Sequence, residues 1–254
     1  SNEINSKVAD TLVQVNFGGA AEFLVSGKDK VLNIAPLSDS AAMISFEEDY
    51  KGLPIIEAVR KFIKYAILCG LVNVEQNCNA LYIYVVSEDE GRSDSLGSSI
   101  KHDIENYLYS NFIPAIVFYN LHSPASIIYA SMYGCSVSKL RAMYIVSKIY
   151  QLSGDSRSAD EILKELRHNG VKNLLNVIRE QHIRYSQSLS LNERELLAGQ
   201  KNIYIQQNMH KLELLSEVAY SRYQSFLTAR AEYEKNFYSS YSEKFLSPAY
   251  LNLP

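Results

Sequence analysis

The sequence predicts an α/β fold, and three observations carry that expectation. Two apolar segments rich in β-branched and aromatic residues, 80–86 and 113–119, read as buried strands. The stretch between them is long enough for a crossover helix, and segments of helical periodicity stand on either side. From Leu212 the apolar residues Leu215, Ala219, Tyr223, Phe226, Ala229, Tyr233, Phe237, Tyr241 and Phe245 recur every three or four positions. That spacing predicts one amphipathic helix or a broken pair, ended by Pro248.

Residues 1–50 read as mostly extended. The segment 11–17 alternates, 21–34 suggests a hairpin around Gly27-Lys-Asp-Lys30, and 41–46 reads as another short strand. Ile55, Val59, Phe62, Ile63, Ala66 and Ile67 have helical spacing. A polar break at 87–95 precedes a helix over 97–110, and residues 120–125 turn the chain after the second strand. Ser126 then stands at a helix N-terminus, as its N-cap, with the helix ending at Gly134. The segment 141–150 is too apolar for periodicity to choose between strand and helix, and Gly154 breaks it. Ser158 caps a further helical stretch that Asn169-Gly170 interrupts. Another helix starts at Leu191, and 202–205 resembles a short β-like insert. Alternating strands and helices argue for a parallel sheet built from crossover units. The chain divides into an extended segment 1–50, an α/β domain 51–218 and a helical C-terminal extension 219–254.

Composition narrows the function classes. A formal charge of −3 over 254 residues points to no nucleic-acid partner. No apolar run reaches the roughly 18 residues of a membrane span, so neither membrane insertion nor a signal peptide is expected. Nineteen tyrosines and no tryptophan fit either a bias of composition or an interface, since tyrosine joins apolar area to a polar tip. The aromatic stripe of the tail is read in the same two ways, as core packing or as contact with a partner subunit. Cys69, Cys78 and Cys135 are an odd set that suits a reducing compartment. They show no metal-ligand spacing, and neither do His102, His182 and His210, so no metal and no cofactor is expected.

Chemistry concentrates at Ser126. The layout puts its hydroxyl at the carboxyl end of a sheet, facing the positive end of a helix. Residues 55–218 resemble the proteolytic subunit of the caseinolytic (Clp) serine protease. Tyr82-Ile-Tyr-Val-Val-Ser87 is similar to the strand leading into that family's Ser-Pro-Gly-Gly loop. His122-Ser-Pro-Ala125-Ser126 resembles its Gly-x-Ala-Ala-Ser nucleophile motif, and Met143 to Leu152 resembles its Pro-x-Ser-Arg-x-Met-Ile-His-Gln-Pro segment. Ala159-Asp160-Glu-Ile162 opens what would be the handle helix between rings. The stretch from Asn202 to Glu217 resembles the family's closing segment.

The resemblance implies a Clp/crotonase-like spiral of βαβ units with a helical C-terminal extension. It places Ser126 at the nucleophile, Tyr150 at the histidine, Lys201 or Asn202 at the aspartate, and Gly91 and Ile127 at the oxyanion-loop positions. The departures decide what activity to expect. A serine needs a base to take its proton and a third group to orient that base. Tyrosine, with an unperturbed pKa of about 10, is a poor base near neutral pH. Glu88-Asp89-Glu90 would oppose a developing oxyanion. His122, Lys139 and His168 are read as solvated or helix-end residues instead of substitutes.

The expected function is therefore a non-catalytic structural subunit of a hetero-oligomeric Clp-type protease ring. Its partners would be other Clp subunits, active and inactive, and an ATPase chaperone, in a plastid or apicoplast stroma or a bacterial cytoplasm. Two alternatives stand beside it. One is an active crotonase-superfold enzyme, a hydrolase or acyl-CoA enzyme using Ser126; the other is an α/β scaffold unrelated to proteases.

Overall fold

A computed structural model describes residues 8–46 and 48–241. Among these residues the fold is mixed α/β, with one five-stranded sheet and eight α-helices, and most of the chain is helical. The strands are β1 (Ala9–Asn16), β2 (Ala20–Ser26), β3 (Val31–Pro36), β4 (Asn79–Ser87) and β5 (Ala115–Tyr119). Their order across the sheet is β3-β2-β1-β4-β5.

The expected hairpin over 21–34 is β2 and β3, but the expected parallel sheet of crossover units is corrected here. β1, β2 and β3 form an antiparallel meander, β4 runs antiparallel to β1, and only β4 and β5 are parallel. The links between the first three strands are too short for a crossover, so those strands must reverse direction. The first helix of the pair α1 (Asp39–Ser45) and α2 (Ile55–Leu68) replaces the strand expected at 41–46. Ser38 caps α1 by accepting the Ala41 N–H, and a six-residue apolar run carries no periodicity that distinguishes the two states. The crossover from β4 to β5 is made by α3 (Glu90–Ser110), the single parallel βαβ unit among the described residues. It begins within the polar break expected at 87–95, because Asp89 accepts the N–H groups of Gly91 and Arg92 and starts the helix there.

After β5 the chain is helical. α4 (Pro124–Tyr133) ends at Gly134, whose φ of 65° is the left-handed conformation that glycine adopts without strain. The ambiguous segment 141–150 lies in α5 (Val137–Leu152). Ser158 starts α6 (Ala159–Leu166) with a capping box, and α7 (Val171–Ser188) follows the Asn169-Gly170 break. α8 (Leu191–Ser240) is a single 50-residue helix opened by a second capping box at Ser190 and Glu193. The β-like insert expected at 202–205 is helical, because it lies inside this uninterrupted span. The position 218/219, expected as a domain boundary, falls in the middle of α8. Phe245 and Pro248 lie outside the described residues.

Both faces of the sheet are covered. On one, Val13, Val15, Phe23, Ile83, Val85 and Val117 pack against α2 and α3. On the other, Leu12, Leu24 and Val86 pack against α5, α6 and α7. All seven residues of β2 are buried as a result. The outer face of β5 is covered by the second half of α8, where Phe226 meets Ile116 and Phe118, with Tyr223, Tyr233 and Phe237 beside it. The aromatic stripe thus packs against its own chain. Phe226 is 2% exposed, whereas Leu214 on the same helix is 63% exposed. Phe226→Ala is expected to cost about 3–5 kcal/mol in urea unfolding. Leu214→Ala should stay within about 0.5 kcal/mol of wild type.

Candidate functional site

The carboxyl ends of β4 and β5 form the only parallel pair among the described strands, and a ligand crevice is expected at such a place. Here that end is tied down. Asn120, at φ 48°, accepts the Val85 N–H through Oδ1 at 2.8 Å and donates through Nδ2 to the Ser93 carbonyl at 3.1 Å. It joins the edge of β4 to the first turn of α3. Gly97 lets the helix lie against the end of β5, for a Cβ there would stand 2.8 Å from the Tyr119 ring.

The three carboxylates of the acidic loop all serve helix N-termini. Glu88 Oε2 accepts the Val171 N–H at 2.7 Å, at the start of α7, where the N-cap Gly170 has no side chain of its own to offer. Asp89 caps α3. Glu90 Oε1 accepts the Ser138 hydroxyl at 2.7 Å in the first turn of α5. Negative charge next to exposed N–H groups and the positive helix end is favourable, so these acids bind three helices to one loop.

The sequence-predicted site residues have separate partners. Ser126 is fully buried and is the third residue of α4, not its N-cap. The cap is Ser123, whose Oγ accepts the Ser126 N–H at 3.2 Å and lies 3.0 Å from the Ser126 Oγ. Tyr150 is near the end of α5 and packs on the second core, while its carbonyl accepts the Ser153 and Asp155 N–H groups. Lys201 is on α8 against α1 and α2. Its ammonium donates to Glu48 Oε1 at 2.6 Å and to the Phe46 carbonyl at 3.1 Å, and lies 4.3 Å from the centre of the Tyr65 ring. Asn202 is exposed. The Gly91 N–H donates to Asp89 Oδ1 at 2.9 Å, and the Ile127 N–H donates to the Ser123 carbonyl at 3.2 Å, so both oxyanion-loop positions direct their amides into local caps. Ser126, Tyr150 and Lys201 do not assemble into a hydrogen-bonded triad among the described residues.

Sequence reasoning missed a polar row buried beneath α5 and α7. Glu22, Gln14 and Tyr84 are paired across β2, β1 and β4 in one register. Arg141 reaches down from α5, donating to Gln14 Oε1 at 3.1 Å with its guanidinium 3.7 Å from the centre of the Tyr84 ring. His182 of α7 stands over Glu22 with 3.8 Å between Nε2 and Oε1, and both side chains are fully buried. At the far end the Tyr84 hydroxyl bonds to that of Tyr241, which also donates to the Leu121 carbonyl at 3.2 Å. The available signal was a glutamate inside an otherwise apolar strand, Ala-Ala-Glu-Phe-Leu-Val.

No group of His, Cys, Asp and Glu among the described residues has the arrangement of a metal site. No helix among them is long and apolar enough to cross a membrane. The chain matches no protein-family model, and no curated protein matches it.

Burial opposes the charged form of Glu48, but hydrogen bonds from Lys201 and Tyr65 and the charges of Lys201 and Lys61 outweigh it and hold its pKa below the ordinary glutamate value. A lowered folded pKa means stability that is fully present above the unfolded value and lost as pH falls through the folded one. Thermal unfolding of Glu48→Gln between pH 7 and pH 3 is expected to show a lower midpoint at pH 7 and a gap to wild type that closes on acidification. Separately, Glu88→Ala should destabilise by about 0.5–2 kcal/mol through loss of the α7 cap, read in urea.

Proposed function

We propose that this chain is a non-catalytic subunit of a larger protein assembly. The observation that carries this reading is the commitment of Glu88 and Asp89 to helix N-caps, and of Glu90 to the Ser138 hydroxyl, at the very place where the resemblance puts an oxyanion loop. A loop committed to carboxylate caps offers negative charge where acyl transfer needs N–H donors. Tyr150 in place of a base points the same way.

Support for assembly comes from the surface. α4 exposes Ile127, Ile128 and Met132, the last of these 66% exposed, on one short helix. Contiguous apolar exposure of this kind marks interaction sites. In its narrower form the reading is a position in a hetero-oligomeric Clp-type ring, with a spiral fold, active and inactive Clp subunits as neighbours, an ATPase chaperone on the outer face, and a plastid, apicoplast or bacterial cytoplasmic home. A second form, an assembly module unrelated to proteases, is favoured by the presence of one parallel βαβ unit in a mainly antiparallel sheet.

Native mass spectrometry of the complex purified from its source tests both forms. The expected result is a multi-subunit particle. Clp subunits among its components would support the ring, and their absence the unrelated module. A monomer would refute assembly altogether. Turnover of a fluorogenic peptide or an acyl-CoA that is lost in Ser126→Ala would refute the non-catalytic reading.

A further inference from the structure

An unassigned feature is a 520 Å³ cavity between the middle of α8 and the C-terminal ends of α2 and α3. That volume falls within the range of about 300–1,000 Å³ usual for small-molecule sites. Its walls are mainly apolar, with Ile67 and Leu68 from α2, Val74 from the following loop, Pro114 beyond α3, and Leu215 and Ala219 from α8. Its charged lining is of one sign. Lys64 and Arg222 are the two charged residues around it, and no aspartate or glutamate lines it.

The two cations sit at positions that give them the same task. Lys64 precedes Ile67 and Leu68 by one helical turn, and Arg222 follows Ala219 by one turn, so each stands beside the apolar wall of its own helix. Neither forms an ion pair with a carboxylate among the described residues, although Arg222 is half-buried. Other basic side chains nearby do find carboxylates: Arg60 binds Asp103, Lys211 binds Glu75 and Arg230 faces Glu105. A half-buried guanidinium without a counter-charge is costly, and an anion with an apolar body would remove that cost.

The helix ends that border the cavity do not repel such an anion strongly. The Ile67 and Leu68 carbonyls accept the Asn208 side chain at 2.9 and 3.0 Å, and the Tyr107 carbonyl accepts the Asn111 side chain at 2.8 Å. These contacts give the carbonyls at the helix ends side-chain donors of their own.

We propose that this cavity binds a free amphipathic monoanion, its acidic head between Lys64 and Arg222 and its aliphatic body against Leu68, Val74 and Leu215. This site is independent of the assembly reading, since it lies away from both α4 and the acidic loop.

The test is calorimetric titration of the 254-residue chain with decanoate, decanol and decyltrimethylammonium, with circular dichroism to verify folding of each variant. Decanoate is expected to bind at least about tenfold more tightly than decanol, and the cationic analogue not at all. The double variant Lys64→Met, Arg222→Met keeps the apolar stems and should lose at least that tenfold. Ala219→Trp should block decanoate by filling the cavity. If it unfolds the chain, the double variant Lys64→Met, Arg222→Met alone decides. Equal binding of decanol and decanoate would overturn the proposal, as would decanoate affinity unchanged in the double variant. Capture by anionic phospholipid vesicles without binding of free decanoate would overturn it too, by assigning the cations to a membrane surface.

Discussion

Strand β1 is the joint on which the molecule depends. It pairs with β2 on one side and β4 on the other, antiparallel to both, and so fuses an N-terminal meander to a βαβ unit. From Leu12 onward its residues alternate between the two cores, Val13 and Val15 to α2 and α3 and Leu12 to α5 and α7, while an irregularity between Ala9 and Thr11 places Ala9 on the same side as Leu12. A strand buried on both faces requires helices on both sides of the sheet, and the long helical half of the chain supplies the second layer.

That constraint also explains α8. β5 is an edge strand whose outer face carries Ile116 and Phe118, and no helix following β5 directly covers it. A 50-residue helix, about 75 Å long at about 1.5 Å per residue, can reach it from the other side of the molecule. Its first half is anchored by Lys201 on Glu48 and Asn208 on the end of α2, and its second half by Phe226 under β5. The cavity assigned to an amphipathic anion lies between these anchorages, where the helix spans the gap between the ends of α2 and α3. Glu88, Asp89 and Glu90 act as mechanical ties, and a buried polar row from Glu22 to Tyr84 joins α5 and α7 to the sheet.

Much of the local structure was legible in the residues. The strand 80–86, the amphipathic helix after Ile55, the Gly134 stop, the Ser158 cap and the tail stripe all rest on periodicity or capping within a few residues of chain. The misreadings share a cause. Residues 41–46 and 202–205 are short apolar runs in which strand and helix cannot be told apart, and their state is set by neighbouring caps and by helix propagation from Ser190. The parallel sheet was inferred from alternation, and alternation does not report direction when hairpins and crossovers share one sheet.

By itself the sequence determined the mixed α/β class, the identity of most elements and the aromatic face of the tail, because each depends on residue chemistry or short-range spacing. Tertiary structure alone decided the antiparallel union of β1 with β4, the capping of α7 by Glu88 across 83 residues of chain, and the meeting of Lys64 with Arg222 around one cavity. Those are placements of residues remote in sequence, brought together only when burial of both sheet faces dictates where each helix must lie.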